Sequence, residues 1–134
     1  MNTTFQDLQH DDNLRNGQVV GDPASVAVLL DQLRMMRPPF MCKFVGDNGY
    51  NLTIGIDHEF RCVQHSANDG APPCLMAVGP SADDRQMEFV VGDTATPIDG
   101  RYRLPFRTVQ DLVVAFVASG QRGDSVKWEE LEPG

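Results

Sequence analysis

The residues able to do chemistry are few and widely spaced: His10, His58 and His65, with Cys42, Cys62 and Cys74. His58 and His65 fall in residues that read as strands, not at the helical i, i+4 spacing by which two histidines hold zinc. There is no CxxC pair to offer a structural zinc site or a thioredoxin-like couple. The zinc-deaminase pattern, H-x-E followed by P-C-x-x-C, is broken twice. His58-Glu59 lacks the intervening residue, and Pro73-Cys74 continues as Leu75-Met76-Ala77. A GxSxG elbow, a P-loop and a GxGxxG after a strand are also missing. A nucleophile such as Cys74 needs a base and an orienting group, and the sequence names neither. The expectation is a protein without catalytic residues, metal or cofactor. Each cysteine lies in an apolar or alternating run and reads as a small buried hydrophobe.

What remains is charge. Eleven Lys and Arg against 19 Asp and Glu give a formal charge of −8, and the pI is about 4.6. That balance argues against binding a phosphate backbone, which needs clustered cations. It leaves two readings: an ordinary acidic protein kept soluble by its charge, or an acidic surface made for a basic partner. The carboxylates placed for the second reading sit in expected turns and loops: Asp47, Asp57, Glu59, Asp69, Asp83, Asp84 and Asp93. For each, the competing reading is a solvated turn. Tyr50, Phe60 and Tyr102 are the aromatic candidates, because aromatics carry much of the energy of interfaces.

The elements that must position these groups belong to one domain, 1–134, a size typical of a single core. No apolar run approaches the roughly 20 residues of a membrane span. The acidic start MNTTFQDLQHDD lacks the basic and apolar regions of a signal peptide, so a cytoplasmic location is expected. Residues 1–16 either fray or dock, with a short strand around Gln18-Val19-Val20, and 131–134 read as a tail.

Asp22-Pro23 predicts a helix start, with Asp as N-cap and Pro at the first helical position. Val26, Leu29, Leu30, Leu33 and Met36 then share one face, and Pro38-Pro39 ends the element. Strands are expected over 40–45, 50–56, 59–66, 74–78 and 87–91, joined by turns that include Asn48-Gly49 and Asn68-Asp69-Gly70. A short extended piece is expected around Tyr102. Near the C-terminus, Val109, Leu112, Val113, Phe116 and Val117 repeat a helical face. Thr108 and Leu104 compete as its cap, Gly120 is its terminating glycine, and 125–129 alternate as a strand. Burying those five side chains contributes on the order of 8–15 kcal/mol gross. Fixing a dozen backbones costs a similar amount, at about 1–2 kcal/mol each, so this helix must pack on the sheet. The fold class is therefore α+β, a mostly antiparallel sheet of about five to seven strands with two helices packed on it. Trp128 reads either as an interface anchor or as a ring packed on a neighbouring helix, with packing favoured.

The stretch 104–131, with Phe116, Gly120, Arg122, Val126 and Trp128 at its key positions, resembles the C-terminus of the first-numbered immunity family of bacterial polymorphic-toxin systems. That family ends in a helix with a late Phe, a Gly or Lys turn, an Arg, and a strand with Val or Leu before Trp. Gly123 departs from it, since many members have Pro there. Members are commonly encoded beside cytidine-deaminase-type toxins. The resemblance implies a protein that binds one toxin domain tightly over its active site, one to one, with no chemistry of its own and no nucleic acid or membrane partner. It implies a structural role for the five quoted residues. Two other functions compete with it. One is a small enzyme or ligand-binding domain with a sheet-face pocket lined by His65 and the acidic turns. The other is a secretion adaptor or chaperone.

Overall fold

The computed structural model describes residues 2–80 and 85–131. Its elements run β1 (Thr3–Asp7), α1 (Pro23–Leu33), β2 (Phe40–Gly46), β3 (Tyr50–Ile56), β4 (Cys62–Ala67), β5 (Leu75–Val78), β6 (Met87–Val91), β7 (Thr94–Ile98), α2 (Phe106–Ser119) and β8 (Lys127–Glu130). The strands form one sheet in the order β7-β6-β2-β3-β4-β5-β8, with β1 also on β2. β2 through β5 are an antiparallel meander, which β8 extends alongside β5. One edge of β2 is shared: β1 pairs along 42–46, and β6 joins in parallel at Phe40.

The α+β class with two helices holds, and the sheet has eight strands rather than five to seven. The additional pairing comes from two places. Thr3–Asp7 is a strand whose outer edge is covered by residues 17–20, through Phe5 N–H to the Gln18 carbonyl and Val20 N–H to the Thr3 carbonyl. β7 returns from β6 through Gly92-Asp93, both at positive φ (52° and 65°), the geometry of a two-residue type I′ hairpin. Tyr102 lies in a 3₁₀ turn, Gly100–Tyr102, and not in an extended piece; the Asp99 side chain accepts from Arg101 N–H and starts that turn.

Asp22 caps α1 as its sequence requires, accepting from Ser25 N–H at 2.8 Å. Regular helix ends at Leu33, and turn hydrogen bonds carry the chain on to Met36. Neither Thr108 nor Leu104 caps α2. Pro105 occupies the cap with no side-chain bond, its extended ψ of 149° turning the chain into the helix. Gly120 closes α2 at φ 74°, with its N–H on the Phe116 carbonyl at 2.6 Å. A side chain there meets the left-handed penalty, so Gly120→Ala is expected to cost about 1 kcal/mol, read as a lower urea midpoint at unchanged slope.

The main core lies between the sheet and both helices, where Leu52, Ile54 and Ile56 of β3 meet Val26, Leu30 and Leu33 of α1 and Val113 and Phe116 of α2. The opposite face also carries a core, smaller, of Met41, Cys62, Met76, Met87, Phe89 and Tyr102. The sheet curls so that Phe89 of β6 covers Gly55 of β3, where a Cβ would come within 2.7 Å of the ring. Near the N-terminus, the buried Asp7 carboxylate organises the loop that follows β1. Gln9 N–H and His10 N–H donate to Oδ1 at 2.8 Å each, and Asn13 Nδ2 donates to Oδ2 at 2.9 Å.

Candidate partner-binding site

Three connections meet at one end of the sheet: the β2–β3 turn, the β4–β5 loop and the segment between α2 and β8. Asparagines knit them together. Asn48 donates to the Gly120 carbonyl at 2.8 Å, Asn68 donates to the Gly46 carbonyl at 3.1 Å, and Asn51 donates to the Asn68 side chain at 2.8 Å. Between them, on the helix-bearing face, opens a groove of about 450 Å³ lined by Tyr50, His65, Asp69, Pro72, Leu75 and Arg122.

His65 forms its floor. It stands opposite Leu52 in the β3–β4 register, which places its ring on the helix side. The ring stacks on Tyr50 (centroids 5.1 Å apart, planes at 23°) and meets Phe116 and Trp128 edge-on at 6.2 and 6.3 Å. Only 8 % of His65 is exposed, and its ring makes no hydrogen bond among the described residues. Burial, and then the charge of Arg122, hold its pKa below the ordinary imidazole value, so the ring is neutral at neutral pH. The unfolded chain binds that proton more readily. Its contribution to stability is therefore complete above about pH 6.5 and lost as pH falls through the lowered native value. An NMR titration of the imidazole is expected to give a midpoint below 6.5; a midpoint at or above it would contradict this account.

Arg122 is exposed beside the groove, its guanidinium 5.6 Å from the Trp128 ring centroid and in no ion pair among the described residues. The packing reading of Trp128 holds: the half-buried ring packs against the main core, and Nε1 donates to the Gly123 carbonyl at 2.6 Å. At Gly123 the space is limited by the flexible end of a leucine side chain, which can shift. A Cβ there would lie 2.8 Å from the Leu112 Cδ2.

The anticipated contact residues separate. Asp47, Tyr50 and Asp69 gather at the groove end, all exposed, and Tyr50 shows 46 % of its surface. The Asp47 carboxylate accepts from Asn2 N–H, and Asp69 from Ala71 N–H. Asp57 and Glu59 lie at the opposite end of the sheet. Glu59 is exposed, whereas Asp57 is 1 % exposed, with Arg37 at 3.2 Å and Glu59 N–H at 3.0 Å on its oxygens. Asp57 thus offers no solvent-facing contact. Asp93 sits in the β6–β7 turn, tied to Gln9 through both side chain and backbone. Asp83 and Asp84 lie outside the described residues. Phe60 and Tyr102 belong to the second core, leaving Tyr50 as the presented ring of the three. Arg122 is the groove residue that the sequence assigned to structure alone.

Chemistry by the thiols is poorly supported by their surroundings. Burial pushes the Cys62 thiol up to about 12 and Cys42 well above its ordinary value. Cys74, one residue before β5, is half-buried rather than buried, and its pKa is raised as well. No group of three or more His, Cys, Asp or Glu able to hold a metal occurs among the described residues. No helix among them is long and apolar enough to cross a membrane.

The sequence profile described as Immunity protein Imm1 matches residues 15–130. The chain belongs to the Imm1 immunity protein family. Membership gives it a toxin-immunity role, with a cognate toxin protein as partner. Comparison with curated proteins yields no significant match. The Imm1 match runs from before α1 to the end of β8, so the groove and every element that builds it lie inside the family region.

Proposed function

We propose that this Imm1 member neutralises its toxin by binding over the toxin's active site, one to one, in the cytoplasm and without chemistry of its own. The family match over 15–130 is the observation that carries this reading. The charge of −8 supports a toxin that acts on nucleic acid or nucleotides, a deaminase among them, because such enzymes have basic substrate clefts for which an acidic protein competes. The groove end, with Asp47, Tyr50 and Asp69, is the contact surface we favour. Glu59 and Asp93 are outlying candidates, and Asp83 and Asp84 stay candidates on sequence alone.

Co-expression with the toxin encoded beside this gene tests the reading directly: cells survive that toxin and not an unrelated one. Affinity for the isolated toxin domain is expected to fall roughly tenfold or more between low and moderate salt, since exposed charges beyond a Debye length are screened. A flat salt series would remove the acidic surface from the mechanism. The groove also favours a second reading, a ligand-binding domain with His65 in its pocket. That reading requires thermal stabilisation by a metabolite or metal with no protein partner present.

A further inference from the structure

We propose that the groove between Tyr50 and Arg122 receives an acidic side chain, Asp or Glu, from a loop of the bound toxin; the proposal rests on the immunity reading above. Four observations carry it. Arg122 stands at the rim with no carboxylate partner among the described residues, although acidic residues outnumber basic ones in the chain. Its guanidinium lies by the Trp128 face, which orients a planar fork suited to a carboxylate. On the floor, His65 is more than nine-tenths buried, faces the groove, and its ring has no hydrogen-bond partner among the described residues. A neutral imidazole there leaves an N–H to donate to a carboxylate oxygen. The wall of Tyr50, Pro72 and Leu75 suits the aliphatic stem of such a residue.

At the His65 ring the local charge favours an anion over a cation. The charge that acts on the His65 ring is Arg122, and it disfavours a second positive charge beside that ring. Asp69 also lines the groove, and its Oδ1 is committed to Ala71 N–H at 2.9 Å. The pocket therefore supplies what long-range steering cannot. A basic toxin is drawn to the acidic protein as a whole, whereas only a partner with a carboxylate at the right point satisfies Arg122. One local contact of reversed sign sets register and excludes other basic proteins.

The test measures affinity for the toxin domain encoded beside this gene. Arg122→Glu is expected to weaken binding about 30-fold or more, Arg122→Gln about tenfold, and Arg122→Lys less than either. Arg122 is exposed, and Arg122→Gln preserves much of the side-chain stem over Trp128, so a melting temperature of the free variant separates lost contact from lost fold. A double-mutant cycle completes the test. Each surface Asp and Glu of the toxin is replaced by Ala and paired with Arg122→Gln; one acidic position is expected to matter in the wild-type background and to lose its effect in the variant. Wild-type binding with Arg122→Glu within twofold of it, or with no coupled acidic position, overturns the pocket alone. Absence of wild-type binding overturns the immunity reading and the pocket with it.

Discussion

Truncating Phe116 to alanine is expected to remove about 3–5 kcal/mol of stability, a drop on the order of 10–20 °C in melting temperature. The ring is fully buried in the main core. It reaches across the helix–sheet interface to the end of β2, where its Cζ lies 3.1 Å from the position a Gly46 Cβ would take. It also forms an edge contact beneath His65. The cavity left by truncation would be bounded by sheet on one side and by the last turn of α2 on the other, and neither closes easily. Phe116→Leu should recover more than half of the loss, because part of the volume returns. A melting temperature within about 3 °C of wild type for Phe116→Ala would show that the groove end collapses freely. The groove could then not be a preformed site.

The second large effect is predicted at Asp7. Replacing it with alanine strands the amide hydrogens of Gln9 and His10 and the Asn13 side chain around a buried position, at an expected cost of about 3 kcal/mol or more. Asp7→Asn keeps one acceptor oxygen and is expected to lose less. Hydrogen exchange is the sharper readout. In the alanine variant the amides of Gln9 and His10 should exchange faster than those of β3, where the ladder is independent of the loop. Uniform change across both would place the effect in global unfolding instead.

Where a side-chain type and a backbone requirement coincide locally, the elements were readable in advance. Asp22-Pro23 starts α1 and Gly120 ends α2 for reasons contained within a few residues. The β6–β7 hairpin escaped because Gly92-Asp93 reverses the familiar Asp-Gly order, although both residues take the left-handed conformation the turn needs. β1 escaped because alternating Thr3, Phe5 and Asp7 looks polar. Their burial arises only when β2 and residues 17–20 close around them. The groove shows the same limit. Tyr50, His65 and Asp69 were each nameable, but Arg122 reached them only through the fold of the α2–β8 segment over Trp128. No spacing in the chain encodes that meeting.

The two outermost strands of the sheet bear on how such a protein behaves when it waits for its target. β7 carries Pro97, which lacks the N–H a new neighbour would need, and β8 is only four residues long with two glutamates. Both flanks are thus poor templates for self-recruitment into stacks. A protein kept ready for its toxin is useful only while it remains dispersed, and blunt margins of this kind disfavour edge-to-edge pairing.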